Sequence, residues 1–354
     1  MPFKKGGAGM AGFPPEDVRA VLHLTRDLWE EMRGGRLLLG GVGFVGRWLL
    51  ESFLSANAEF ALGASAVVLT RSPEKLLASA PHFGRSPAIK IFRWELAGGP
   101  LPAGPFSHVI HAATADGYPT PAAQAEAMIR GAARLTGFAA KRGAKALLLV
   151  SSGAVYDRMG RGPTPIPEAD KGYMDPLSPA RFYGESRRFM EALCCEEARG
   201  SDLRVKVARG FGFVGPGMQR EGRFAIMDFI EAALAGGPVV IRNTGRARRS
   251  YLYASDMAAW FWTILFSGEA ERPYNIGSEE GYTIAKIARL VAKSMGGEVP
   301  VVISGEPEPL GQRVNYVPDT SRARGELGLR MTVGLGEAVR KTLSFCSPKP
   351  KSDP

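Results

Sequence analysis

From residue 36 to residue 208 the chain is punctuated by short runs of consecutive apolar residues, several of them separated by stretches with helical spacing. RLLL (36–39), AVVLT (66–70), IKIFRW (89–94), HVIHAA (108–113) and ALLLVSS (146–152) are the five short apolar runs. Each therefore predicts a strand buried on both faces. Apolar positions recur with helical period over Phe44 to Leu54, Ala122 to Arg142 and Phe182 to Glu197, and a further strand is expected at Arg204 to Ala208. Strands alternating with helices predict an α/β protein with a doubly wound parallel sheet.

The pattern changes on either side of this region. Residues 1 to about 13 are Gly-rich and expected to be disordered, and an amphipathic helix is expected from Pro14, with Val18, Val21, Leu22, Leu28, Trp29 and Met32 recurring at helical spacing. It reads as a structural cap or an oligomer contact. After Arg209, Gly/Pro-rich loops, short strands and helices predict a smaller C-terminal α/β substrate-binding region. The expected organisation is an extension over 1–35, a dinucleotide-binding domain over 36–210, a mainly substrate-binding region over 211–346 and a frayed tail over 347–354. Residues 250 to 267 are expected to pack back on the larger domain.

Composition narrows the function classes. At 354 residues and 45% hydrophobic content the chain has ample core. Its most apolar stretch, Met257 to Phe266, is about half of the roughly 20 residues a membrane-spanning helix needs. The N-terminus lacks the apolar core of a secretory signal. A cytoplasmic protein with no membrane partner is expected. Cys194, Cys195 and Cys346 offer neither a disulfide framework nor a CxxC spacing. The four histidines, His23, His82, His108 and His111, are too scattered for a metal site. The net charge of +10 is spread along the chain, with its densest cluster at Arg246, Arg248 and Arg249. That arrangement suits an anionic small molecule better than nucleic acid.

The first strand runs into Gly40-Gly41-Val42-Gly43-Phe44-Val45-Gly46, which opens a helix. Glycines at 40, 43 and 46 give GxxGxxG, a variant of the Rossmann dinucleotide fingerprint. One glycine permits the turn, another lets backbone approach a pyrophosphate, and the third allows helix and strand to pack closely. The helix N-terminus then presents free N–H groups to the phosphates. The second strand ends in Thr70-Arg71-Ser72, without the carboxylate that would bind the ribose hydroxyls of NAD. Arg71 is placed for a 2′-phosphate, so NADP is favoured over NAD. Glu95, followed by Leu96, is expected at the adenine, and the small Ala112 and Ala113 leave room for the cofactor.

Taken in order, GGVGFVG, HAA, SSGAVY, YGESR, ARGFGFVGP, RRSYLY, YNIGS and DTSRARGELG resemble the extended short-chain dehydrogenases, specifically the nucleotide-sugar epimerase/dehydratase group, over about Arg36 to Phe345. The resemblance implies a catalytic Tyr with a Lys four residues later on one helix face, beside a Ser or Thr from the preceding strand. Tyr183 matches the Tyr and Ser152 the Ser/Thr. The Lys position is held by Arg187, a departure that leaves a fixed positive charge but with a larger, planar group. The resemblance also implies that Tyr183 and Arg187 line the cofactor, that Ser152, Arg249 and Arg313 bind the nucleotide-diphosphate sugar, and that the helices around 122–142 and 182–197 form a homodimer contact.

Other departures bear on the reaction. The family's 4,6-dehydratases carry acidic residues just after the Ser/Thr, where this chain has Gly153 and Ala154, although Glu168 or Asp170 offers a carboxylate from elsewhere. Epimerases and ketoreductases need no such pair. A family Asn is replaced by Gly212, and another expected near Met128 is absent. The leading expectation is epimerisation through a transient 4-keto sugar. An NADP-dependent ketoreductase, a 4,6-dehydratase, and a non-catalytic nucleotide-binding protein disabled at Arg187 stand as alternatives.

Overall fold

The computed structural model describes residues 12–156, 165–172, 177–219, 224–296, 299–306 and 315–347. The apolar runs form β1 (Arg36–Gly40), β2 (Ser65–Thr70), β3 (Ile89–Arg93), β4 (His108–His111), β5 (Ala146–Ser152) and β6 (Arg204–Gly210). With a seventh strand, Pro273–Ile276, they make one parallel sheet in the order Pro273–Ile276, β6, β5, β4, β1, β2, β3. Side chains of successive strand residues point to opposite faces. Leu37, Leu39, Val68, Ile110 and Leu148 thus enter one core, while Leu38, Val67, Leu69, Val109, Leu147 and Leu149 enter the other. β1, β2, β4 and β5 are covered on both faces, which is why they read as apolar runs. β3, also expected to be buried on both faces, is instead the edge strand of the sheet: its apolar residues are half-buried, with Lys90 and Arg93 exposed.

The helices are α1 (Pro15–Leu24), α2 (Phe44–Glu59), α3 (Pro73–Ser79), α4 (His82–Arg85), α5 (Pro121–Lys141), α6 (Phe182–Ala198), α7 (Ala225–Leu234), α8 (Ala254–Ser267), α9 (Ile284–Lys293), α10 (Ser321–Leu327) and α11 (Leu335–Cys346). α5 and α6 pack together over one face, and α2 with α8 covers the other. Every residue of α8 from Ala254 to Phe266 is buried, so the most apolar stretch of the chain is an inner helix of the Rossmann layer. Among the described residues no helix is long and apolar enough to cross a membrane.

The smaller lobe holds β7 (Phe213–Val214), β8 (Val239–Asn243), β9 (Arg248–Arg249) and β10 (Leu252–Tyr253). After the sheet strand β11 (Pro273–Ile276) it adds β12 (Tyr282–Thr283), β13 (Val301–Glu306) and β14 (Asn315–Tyr316). Its core packs α7, α9 and α11 through Ile226, Ile230, Ile287, Val291 and Val339. The chain crosses between lobes after Gly210 and again with α8 and β11. β11 escaped the sequence pattern because it is short and carries Pro273 and Asn275 in place of an apolar run.

The amphipathic face of α1 is covered within the chain. Val18, Val21 and Leu22 are buried, and Trp29 and Met32 follow on the 3-10 turn Arg26–Met32. Trp29 lies 4.7 Å from Trp262 and 5.6 Å from Phe266, both on α8. Phe13, expected to lie in a disordered stretch, is instead buried and stacks on Trp48 of α2 at 4.3 Å, because the indole offers its apolar ring a place out of water. Asp17, buried, accepts the Tyr253 hydroxyl at 2.7 Å and pairs with Lys341 of α11 at 2.7 Å. This extension therefore pins α2, α8 and α11 together.

Candidate active site

Gly40, Thr70, Arg71, Glu95, Leu96, Ala112 and Ala113 lie at or just beyond the carboxyl ends of β1 to β4, where open α/β sheets bind ligands, and Phe44, Val45, Tyr183 and Arg187 lie early in α2 and α6. Gly41 adopts φ +95°, and a Cβ there would lie 2.4 Å from the Cα of Ala113. A Cβ on Gly46 would lie 2.0 Å from the Gly41 carbonyl oxygen, while one on Gly40 would press on Leu135 at 3.1 Å. Gly41 and Gly46 are demanded by close approach of backbone to backbone, whereas at Gly40 the near neighbour is a leucine side chain. Gly43 differs: it is the N-cap of α2, and nothing lies within 4 Å of a Cβ built on it. That open cradle over a sixteen-residue helix N-terminus fits a dinucleotide pyrophosphate. Phe44 and Val45 are half-buried, Phe44 between the first core and the core of the smaller lobe.

Ala112 and Ala113 follow β4 directly, with the Ala112 N–H donated to Gly40 at 2.7 Å. Thr70 ends β2 and its hydroxyl accepts the Ser72 N–H at 3.3 Å. Arg71 is half-buried, donates to the Asp116 carbonyl and lies 5.3 Å from the centre of the Tyr118 ring. Its guanidinium thus reaches across from β2 to the loop after β4. Glu95 is exposed beyond β3, whereas Leu96 is buried against Gly131 of α5.

α6 carries Tyr183, Arg187 and Glu191 at every fourth residue, hence on one face. Tyr183 is 49% exposed. Arg187 is buried; its Nε donates to the Tyr183 hydroxyl at 3.0 Å and its Nη1 donates to the Val150 carbonyl at 3.1 Å. One guanidinium thereby holds the phenol and ties α6 to β5 two residues before Ser152. Ser152 ends β5, half-buried, with its hydroxyl accepting the Ala154 N–H at 3.1 Å. His111, at the end of β4, is fully buried, and neither ring nitrogen has a hydrogen-bond partner. Burial, and then the nearby Arg187 charge, push its pKa down to about 4. His108 is likewise held at about 4 by burial and by Lys145, Lys206 and Arg204. No cluster suited to a metal occurs among the described residues.

The departures noted in the sequence have physical causes here. A Cβ on Gly153 would meet the Phe211 ring at 2.7 Å and the Tyr316 hydroxyl at 2.8 Å. Those two rings, 4.6 Å apart, already fill the space of any side chain following Ser152. A Cβ on Gly212 would lie 2.2 Å from the Ser250 carbonyl, which excludes an Asn in this backbone. Glu168 is buried and already engaged by the chain: its Oε1 accepts the Asn275 N–H at 2.9 Å, and burial raises its pKa. Asp170 accepts the Gly172 N–H at 2.7 Å. Arg249 on β9 is half-buried, donates to the Arg248 carbonyl at 2.8 Å and stands opposite Tyr316 of β14. Arg313, expected at the diphosphate, lies outside the described residues.

Sequence reasoning missed a buried polar network beneath Ser152. Ser151 donates to Glu191 at 2.5 Å, and Arg209 of β6 makes a two-pronged contact to the same carboxylate, 2.6 Å at its shortest. Arg209 also donates to the Tyr156 hydroxyl at 2.9 Å, which in turn donates to Asn275 of β11 at 2.8 Å. Burial raises the Tyr156 pKa despite the Arg209 charge. The four-residue spacing of Tyr183, Arg187 and Glu191 was the available signal.

Comparison with known proteins identifies the family and the fold. Residues 36–277 match the model of the NAD dependent epimerase/dehydratase family. The chain is 26% identical over 315 residues to UDP-glucuronic acid decarboxylase 3 of Arabidopsis thaliana, covering 86% of each. It is 28% identical over 219 residues to UDP-glucuronic acid decarboxylase 1 of Xenopus tropicalis, a match spanning 61% of this chain and only 50% of that protein. The UDP-glucose 4-epimerase of Thermotoga maritima, solved with UDP-glucose, superposes with a TM-score of 0.73 at 21% identity, covering 88% of this chain and 98% of that one.

Proposed function

The chain belongs to the NAD-dependent epimerase/dehydratase family, and from that premise we propose that it epimerises a nucleotide-diphosphate sugar through a transient 4-keto sugar. The observation that carries this reading is the Tyr183 phenol, half-exposed at the mouth of the sheet and held by Arg187 at 3.0 Å. When bound, the nicotinamide supplies a reversible hydride acceptor for the sugar C4. Tyr183 takes the C4 hydroxyl proton and later returns it, ordinary general acid–base work. Ser152 orients that hydroxyl from the end of β5. Arg187 keeps Tyr183 in place and supplies the positive charge that the family's Lys provides. Gly40, Gly43 and Gly46, with Phe44 and Val45, hold the pyrophosphate end, Ala112 and Ala113 leave it room, and Glu95 and Leu96 border the adenine. Thr70 and Arg71 border the adenosine ribose. Arg71 favours NADP over NAD, because it brings a cation to the end of β2 where no carboxylate stands. Arg249 takes the substrate diphosphate, joined by Arg313. The partner helices of a homodimer are α5 and α6, where Phe189 is 57% exposed.

Gly153 also bears on the choice among reactions. Loss of water across C5 and C6 needs an acid and a base beside the sugar, and Phe211 and Tyr316 take the room where one would sit. A second reading, decarboxylation of a nucleotide-linked uronic acid, is favoured by the names of the Arabidopsis and Xenopus relatives. A C4 ketone lies β to the C6 carboxylate, so the C5–C6 bond releases carbon dioxide and C5 takes a proton; return of the hydride to C4 and of a proton from Tyr183 to its oxygen then gives the pentose. That step needs no side chain at 153.

The test is incubation with UDP-glucose and, separately, with UDP-glucuronic acid, followed by proton NMR of the nucleotide sugars. Inversion at C4 supports the first reading and a pentose product the second. Tyr183→Phe is expected to lower either rate by about a hundredfold or more, and Arg187→Lys to change it modestly. Turnover of Tyr183→Phe at the wild-type rate refutes the mechanism.

A further inference from the structure

We infer that Glu191 is a positioning residue, which sets the height of Ser152 against Tyr183 by clamping the end of β5 to α6. This rests on the proposed roles of Ser152 and Tyr183. Two polar ties join α6 to β5, and they fall on the adjacent residues Val150 and Ser151, just before the strand's end. Arg187 reaches the Val150 carbonyl at 3.1 Å, and Glu191 receives the Ser151 hydroxyl at 2.5 Å. Ser152 is the next residue, so its height above the sheet follows from the second tie. The carboxylate cannot drift, because Arg209 holds both its oxygens at 3.1 and 3.2 Å through Nε and one at 2.6 Å through Nη2. Arg209 is itself fixed by β6, whose Arg209 and Gly210 pair with Ser151 and Ser152.

The clamp does not end there. Arg209 donates to Tyr156, and Tyr156 to Asn275. The Asn275 amide then donates to the carbonyls of Ile166 and Asp319, both at 2.9 Å. Strands β5, β6 and β11, helix α6 and two loops therefore share one chain of hydrogen bonds. Its components lie behind the reacting atoms; what they transmit is geometry. Misplacing a reacting group by about 1 Å costs on the order of a hundredfold in rate, so a tie one residue from Ser152 has leverage that its distance from the sugar conceals.

Ser151→Ala breaks the tie alone and leaves the Glu191–Arg209 pair whole, and Ser151→Thr keeps the hydroxyl. Two readouts decide. In steady-state turnover of UDP-glucose or UDP-glucuronic acid, Ser151→Ala and Glu191→Gln are expected to lower kcat about tenfold or more with KM within twofold of wild type. Ser151→Thr is expected to recover most of the rate. In hydrogen exchange followed by mass spectrometry, which needs no substrate, Ser151→Ala is expected to speed exchange at the 150–156 and 182–190 backbone at least fivefold, leaving β1 to β3 unchanged. Wild-type exchange in those segments for Ser151→Ala overturns the clamp, whether or not the protein turns over either sugar. Faster exchange with an unchanged kcat overturns the positioning role. If wild-type protein turns over neither sugar and Tyr183→Phe behaves as wild type, the functional reading fails, and with it the catalytic consequence of the clamp, while exchange still decides the clamp.

Discussion

Gly153 and His111 show how closely single residues are fitted here. Gly153→Ala places a methyl group 2.7 Å from the Phe211 ring and 2.8 Å from the Tyr316 hydroxyl. Both rings must shift, and urea unfolding should show a loss of about 1–3 kcal/mol. His111 governs an acid response. Its folded pKa, about 4, lies below the ordinary 6.5, so the unfolded chain takes up a proton in a range where the folded one does not. Stability contributed by a neutral His111 is complete above pH 6.5, declines as the pH falls toward 4, and is spent below it. The whole effect is on the order of 3 kcal/mol. His111→Leu should therefore unfold at a less pH-dependent urea midpoint between pH 6.5 and 4.5 than wild type. His108, depressed to the same value, retains its own share of the slope.

At the scale of elements, the N-terminal extension behaves as a brace. Asp17 on α1 is met by the Tyr253 hydroxyl and by Lys341 of α11. Lys341→Ala leaves a buried carboxylate with one neutral donor. Because Lys341 is partly exposed, the cost is discounted to about 2 kcal/mol, visible as a lower thermal midpoint. Adding Asp17→Asn should recover part of it. The elements of the larger lobe were mostly legible in the sequence because their burial is two-sided: β1, β2, β4 and β5 read as apolar runs. α1 was legible as a helix, but its partner was not, since periodicity locates an apolar face and says nothing of what covers it. β11 was hidden by Pro273 and Asn275. In the site, the glycine turn and the Tyr183–Arg187 pair were readable from spacing. The Glu191–Arg209–Tyr156 network was not, because its members come from three distant stretches and meet only once the sheet is assembled. Gly212 and Gly153 read as losses in the sequence, whereas in the structure they are positions where a neighbouring carbonyl or ring has taken the space.

At the scale of the molecule, the two lobes are not two consecutive stretches of chain. α8 covers one face of the sheet and β11 pairs with β6, yet both follow β7 to β10 of the smaller lobe. A protein ending at Gly210 would keep α5 and α6 but lack α8, leaving Leu148 and Ala208 short of cover. Such a fragment is expected to bind the dye ANS and to lack the near-ultraviolet circular dichroism of the full chain. A cooperative unfolding transition in the fragment would show that the sheet closes without α8.

That interleaving also gives the protein a dangerous interval during its synthesis. The 66 residues from 211 to 276 take roughly 3 to 13 s to emerge at ordinary ribosomal speeds. Throughout that time β6 is an open edge, and until α8 follows, the sheet face it shares with α2 is only partly covered, a combination that invites pairing with other nascent chains. A cell making this protein quickly should need a chaperone to shelter that face, and slower translation by itself would prolong the hazard rather than relieve it.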